Sequence, residues 1–235
     1  MSQPESGAFW NTGSASGAVV FYGTAGIYSR REDSLRLALE DAAKKAAIFN
    51  GLEARITSVL NTGGGIFDYR SETETFLQYD EDYKKYVDGL IFDPETDVLQ
   101  KDGAIFVRVR YKTPVQIPAG WASFQRPEKP SWITVPPEIP GYITGIGYAG
   151  RRSAHRDTVT ASYENAIFAI ITALYGSAQE ETRHIRGSGT FDWRSSSSQE
   201  ITAAGRLQRF YALDAWVNPA DKSVWTLGIA QKPAE

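Results

Sequence analysis

The chain has 235 residues, with 25 Lys and Arg against 28 Asp and Glu, two His, no Cys, 42% hydrophobic and 12% aromatic residues. That apolar fraction is enough for a packed core and excludes wholesale disorder; a net charge of -3 removes the broad attraction to polyphosphate on which non-specific nucleic-acid binding rests, so nucleic acid is not an expected partner. Without Cys there is no disulfide, no thiolate nucleophile, no Cys-based zinc site and no protein-thiol redox chemistry.

Met1 is the only Met, and Ser2 to Gly7 is small and polar, as a tether or a trimmed start would be. The first twenty residues lack a basic run followed by an apolar stretch, and no run reaches the roughly 18 apolar residues of a membrane helix. Val19-Val20-Phe21-Tyr22-Gly23 is a β-rich run ending in glycine, a strand entering a tight turn. Leu35, Ala38, Leu39, Ala42, Ala43, Ala46 and Ala47 then draw one stripe on an α-helix, with Asp33 or Ser34 placed to cap it. Alanine along the stripe lets the helix approach a sheet closely. Gly63-Gly64-Gly65 leads into Ile66 to Arg70, whose alternation suits a second strand. Phe76, Tyr79, Tyr83, Tyr86, Val87 and Leu90 suggest a further helix. After a turn at Asp102-Gly103, Ile105, Val107, Val109 and Tyr111 share one strand face, with Phe106, Arg108 and Arg110 on the other. Seven of the eleven prolines then fall between Thr113 and Gly141. Proline donates nothing to a ladder and holds its predecessor extended, so 114–140 reads as a semi-rigid connector.

The second half repeats this order. Tyr142-Ile143-Thr144-Gly145 is a strand, and Val159, Ser162, Tyr163, Ala166, Ile167, Ile170 and Ile171 occupy the helix stripe, with Asp157 or Thr158 as cap. Gly187-Ser188-Gly189 precedes the strand Thr190 to Arg194, and Ile201, Ala204 and Leu207 give weak support for a second helix. Tyr211, Leu213, Ala215 and Val217 alternate before a turn at Asn218 to Asp221, after which Val224 to Leu227 returns. Shifted by 124 positions without a gap, Asp33 to Ser71 is identical to the second half at ten of 39 positions, among them Phe67/Phe191, Asp68/Asp192, Arg70/Arg194 and Ser71/Ser195. Chance would give roughly two or three. At a slightly smaller shift Trp10 meets Trp132, Gly23 meets Gly145, and Arg30-Arg31 meets Arg151-Arg152. The expected fold is therefore α+β: two tandem repeats, each a small, mostly antiparallel sheet with one or two helices on one face, in the order β-α-β-(α)-β-β. The first module spans 9–113, the connector 114–140 and the second module 141–233.

Gly145-Ile146-Gly147-Tyr148-Ala149-Gly150 matches G-x-G-x-x-G between a strand and a helix, the context of a dinucleotide fingerprint. The acidic residue required about twenty positions later is replaced by the helical run Ile170 to Leu174, and the equivalent Gly23 to Gly26 run breaks the pattern. Gly23, Gly26, Gly145 and Gly147 are accordingly read as structural, and no cofactor is expected. Arg30-Arg31 and Arg151-Arg152 stand just ahead of helix N-termini, where a phosphate, a lipid head group or a partner's carboxylate would be favoured, although solvated charge is the plainer reading. Asp68 with Arg70, and Asp192 with Arg194, share strand faces as side-by-side salt bridges. His155 and His184 have no counterparts in the other half and lie in no metal-ligand or triad spacing. Trp121, Trp193, Trp216 and Trp225 are the aromatics on which a sugar would stack, if not core. No catalytic or metal-ligating residue is assigned.

Pro130-Ser131-Trp132-Ile133, running through Pro136-Pro137 to Tyr142-Ile143-Thr144-Gly145-Ile146-Gly147, with the alanine-spaced helix and the closing Val224-Trp225-Thr226-Leu227, resembles the bacterial LPP-type surface lipoproteins. That group includes the flagellar lipoprotein FlgP and is similar to the N-terminal domain of the flagellar assembly protein FlgT. The likeness covers Pro130 to Pro233, and more faintly Phe9 to Pro114, which lacks the Pro-Pro run. It implies an exported, lipid-anchored envelope protein with protein partners there, self-association included, touching the membrane only through an anchor absent from this chain. It supplies no catalytic residues. The expected function is a non-enzymatic structural or protein-interaction module, with a glycan- or small-anion-binding envelope module as the alternative.

Overall fold

A computed structural model describes residues 18–62, 69–112, 128–186 and 193–233, and for strand residues 59–62, 69–72, 177–186 and 193–201 it describes the backbone. The fold is α+β with antiparallel sheets. In chain order the elements are β1 (Ala18–Gly26), α1 (Arg31–Asn50), β2 (Leu52–Thr62), β3 (Tyr69–Tyr79), a 3-10 segment (Tyr83–Gly89), β4 (Leu90–Ile91), β5 (Val98–Lys101), β6 (Ala104–Lys112), a 3-10 turn (Ser131–Ile133), β7 (Tyr142–Ala149), α2 (His155–Tyr175), β8 (Ser177–Arg186), β9 (Trp193–Val217) and β10 (Val224–Gln231). Contacts group them into two compact units: a larger one of Met1–Leu52, Tyr79–Ile170 and Leu207–Glu235, and a smaller one of Glu53–Gln78 and Ile171–Arg206. The larger unit takes residues from both sides of the proline-rich stretch.

In the larger unit β1 runs antiparallel to β6 from Ala18↔Lys112 to Gly26↔Ala104, and β4 and β5 pair β6. Here β10 pairs both β7 and β9. The odd-numbered side chains of β1 and β6 are buried with the alanine stripe of α1, as the periodicity predicts. That same cluster contains Trp132, Tyr211, Leu213, Leu227 and Ile229, so one core draws on both halves of the sequence. Phe49 meets Tyr211 edge-on with ring centroids 6.1 Å apart. Trp132 is 4% exposed and its indole N-H donates to Asp214 Oδ2 at 2.6 Å, so this part of the expected connector is docked into the core.

Helix and sheet approach so closely that only glycine fits between them. A Cβ on Gly23 would fall on the carbonyl of Ala38, and one on Gly147 on the carbonyl of Ser162. These sites lie 124 residues apart, and other contacts share the same spacing. The Ser34 hydroxyl accepts from Tyr28 N at 2.9 Å and the Thr158 hydroxyl from Arg152 N at 3.0 Å. Asp41 Oδ2 accepts from Thr24 N at 2.8 Å, and Asn165 Nδ2 donates to the Tyr148 carbonyl at 2.7 Å. The structural partner of Gly23 is thus Gly147, not Gly145, and Arg30-Arg31 fall opposite Ala154-His155. Ser34 and Thr158 clamp the loop entering each helix and do not cap its first turn; Arg30 occupies the N-cap of α1 with no side-chain cap bond.

Two expected helices are absent. Phe76 and Tyr79 lie on β3, and only Tyr83, Tyr86 and Val87 enter a 3-10 segment. The cause is local: Asp80 Oδ1 accepts from Asp82 N at 3.1 Å, a turn that stops β3 and tightens the chain entering the 3-10 segment. Ile201, Ala204 and Leu207 lie on β9, where Ile201 pairs Ala178 and Thr202 pairs Ser177. Strands β2 and β8 are additions to the expected elements. In the smaller unit β8 pairs β9 from Ser177↔Thr202 to Arg186↔Trp193, and the Ser58 and Thr73 hydroxyls meet at 3.1 Å. Gly205 there lies under the ring of Tyr175, whose hydroxyl donates to the Arg206 carbonyl at 3.3 Å.

Candidate functional site

The loops after β1 and β7, the Asp102-Gly103 turn and the β9–β10 turn supply the walls of two adjoining concavities in the larger unit. The first, of about 300 Å³, is lined by Asp102, Arg151, Arg152, Ser153, His155, Thr158 and Lys222. The second, of about 360 Å³, shares Asp102, Ser153 and His155 and extends to Ile27, Tyr28 and Arg156. Turn geometry presents two of the charged groups: Asp102 and Lys222 adopt left-handed φ angles of 50° and 62°. Arg151 and Arg152 are exposed. Among the described residues no carboxylate lies within 4.0 Å of Arg151, Arg152 or Lys222, whereas Arg156 pairs with Asp157 at 3.3 Å.

His155 lines both concavities, edge-on to Phe106 at 6.1 Å. Burial holds its imidazole below the ordinary histidine range, and Asp102 opposes that shift. A hydrogen bond with Tyr28, ahead of the Asp157 charge, holds the Arg156 guanidinium in its charged form. Arg151 and Arg152 are therefore brought together with three residues that sequence reasoning left aside: Asp102, His155 and Lys222. The two hairpin turns were legible, but no pattern in the sequence says that they face the start of α2.

The other predicted positions separate. Arg30 and Arg31 are exposed at the start of α1 and do not line the cleft. Gly145 and Gly147 lie inside β7 against the backbone of α2, and α2 begins at His155, so the G-x-G-x-x-G run forms no phosphate-binding loop at a helix start. Gly26 ends β1, where a Cβ would meet the end of the Arg156 side chain and the edge of the Tyr28 ring. Trp121, Asp68 and Asp192 lie outside the described residues; Arg70 is on β3, and Trp193 and Arg194 are on β9, with side chains outside the description. Trp216 is buried, and the Trp225 and Tyr148 rings meet at a tilt of 47° with centroids 4.6 Å apart. His184 is on β8.

A second feature is interior. A cavity of about 40 Å³ is lined by Tyr22, Lys45, Tyr163, Asp214 and Thr226 among apolar neighbours. Among the described residues the Tyr163 hydroxyl is buried without a hydrogen-bond partner, and burial raises its pKa well above the ordinary phenol value. A third feature is a shallow groove of about 600 Å³ between α1 and the 3-10 segment, with Leu35, Leu39, Val87 and Phe92 as its apolar lining. Among the described residues no group of three or more His, Asp or Glu is placed to hold a metal. Comparison with known protein families, with curated proteins and with solved structures finds no match.

Proposed function

We propose that the protein is a non-enzymatic module of the bacterial cell envelope, structural or protein-binding in role, of the LPP-type surface lipoprotein kind and associated with the flagellum. The observation that carries this reading is the use of the buried charges in the larger unit. Lys45, Asp97 and Asp214 are each less than a tenth exposed, and each holds a structural partner. Lys45 donates to the Tyr22 carbonyl and pairs with Asp41. Asp97 accepts from Arg108 Nε at 2.9 Å and from Asp93 N at 3.1 Å. Asp214 takes the Trp132 indole and the Ala215 amide. Such groups, desolvated and fully engaged, order a scaffold instead of meeting a substrate.

The reading is tested in cells of the native host by fractionating the full-length gene product and by deleting the gene. It predicts recovery in the envelope fraction and a defect in envelope assembly or motility. A cytosolic product, with assembly, motility and surface binding intact in the deletion strain, would contradict it.

A further inference from the structure

We propose that the cleft between the β7–α2 loop and the two hairpin turns binds a phosphate group, free or carried by a lipid head group, between Arg151, Arg152 and Lys222. The proposal goes beyond the scaffold reading and does not depend on it. Three cationic side chains from two separate loops line one concavity of about 300 Å³. Among the described residues none of them has a carboxylate within 4.0 Å. Three cations that share a lining with the single carboxylate of Asp102 leave an excess of positive charge, and an anion between them lowers the cost of their repulsion. Two planar guanidinium forks and one ammonium suit the several acceptor oxygens of a phosphate.

The remaining lining defines the ligand further. Ser153 adds a hydroxyl that can donate to an oxygen, and Thr158 fixes the Arg152 backbone at 3.0 Å, so the second arginine starts from an anchored main chain. Asp102 is the one carboxylate on the wall and disfavours an anion that reaches its side of the cleft. The phosphate therefore sits away from Asp102, among the three cations. The adjoining concavity leads past His155 to Ile27 and Tyr28, exposed by 47% and 46%, which gives an apolar body attached to the phosphate a surface to cover. The chemistry is that of a phosphate monoester with an apolar substituent, and a phosphatidate head group offers the same dianion.

The test uses the full chain. Titration with inorganic phosphate is monitored by calorimetry and by the NMR signal of His155, and sedimentation is measured with phosphatidylcholine vesicles with and without phosphatidic acid. The expected result is saturable binding of inorganic phosphate, or sedimentation with the phosphatidic-acid vesicles alone, the two arms separating the free from the lipid source. Either is weakened at least about tenfold by Arg151→Ala with Arg152→Ala, and by Lys222→Ala. In the phosphate arm a nearby dianion also raises the proton affinity of His155. Arg30→Ala with Arg31→Ala leaves binding unchanged, and unaltered thermal unfolding of each variant shows that its fold is kept. Failure of both arms, or binding equally strong in the Arg151, Arg152 and Lys222 variants, would overturn the proposal.

Discussion

Gly147 shows how narrowly the core is specified at the residue scale. Its missing side chain admits the Ser162 carbonyl and the Ala166 amide, so Gly147→Ala forces backbone apart. The expected cost is about 1–3 kcal/mol, read as a lower midpoint in urea. Gly103→Ala provides the contrast. Its φ is 75° with nothing within 4 Å, so the expected cost is backbone strain alone, roughly 1 kcal/mol. The Trp132 indole is a second single-residue determinant. Trp132→Phe keeps an aromatic but leaves the Asp214 carboxylate short of a donor at 1% exposure. A loss of about 2–3 kcal/mol in chemical denaturation is expected. Two titrating groups give opposite pH trends. Burial raises the Glu164 carboxyl and lowers the His155 imidazole. The folded state therefore holds the Glu164 proton more tightly than the unfolded chain, and this contribution is lost as pH rises through the raised value. His155 contributes stability that is present above its ordinary range and is lost as pH falls through the lowered value. Glu164→Gln should flatten the first dependence and His155→Gln the second, in unfolding curves recorded across acidic pH.

At the element scale the central relation is between α1 and β1. Strand β1 pairs only β6 among the described strands, which leaves one row of its backbone groups facing away from the ladder. Asp41 and Lys45, one turn apart on α1, take the Thr24 amide and the Tyr22 carbonyl from that row while pairing with each other at 2.9 Å. The edge is thus closed by a helix in place of another strand. Asp41→Ala should release the Thr24 amide, seen as faster hydrogen exchange at that residue while the amides bonded to β6 stay protected. The two long helices were legible in the sequence because their stripes keep helical spacing throughout and are apolar but for Ser162. The 76–90 segment was not, because its aromatic spacing fits a helix while the Asp80 turn decides the backbone. Strand β8 was not legible for another reason: Gln179, Glu180, Glu181, Arg183 and His184 leave too few apolar residues to mark a buried face, whereas β2 carries a strand signal in the alternation of Leu52, Ala54 and Ile56 with Glu53, Arg55 and Thr57. In the cleft, the arginines were legible as charges ahead of a helix, but the arrival of Lys222 and Asp102 is a tertiary fact. The Trp10/Trp132 match misdirected the register, since aligning it draws Gly23 onto Gly145 and conceals the Gly23/Gly147 and Gly26/Gly150 matches available at 124.

At the scale of the molecule, element bounds recur at 124 residues: β1 and β7 begin at Ala18 and Tyr142, and α1 and α2 at Arg31 and His155. Yet the core of the larger unit is shared. Phe49 from the first half and Tyr211 from the second meet edge-on, Arg209 lies 5.1 Å from the Phe49 ring, and the Lys45 ammonium lies 5.3 Å from the ring of Tyr163. A double-mutant cycle on Phe49→Leu and Tyr211→Leu should return a coupling of about 0.5–1.5 kcal/mol. The shared core also implies that neither half has enough buried apolar surface to fold independently. The most direct measurement is the folding of residues 18–112 as an isolated fragment, monitored by NMR dispersion and chemical denaturation. A poorly dispersed spectrum and no cooperative transition are expected; a fragment that unfolds in one sharp, reversible step with native-like dispersion would contradict the shared core.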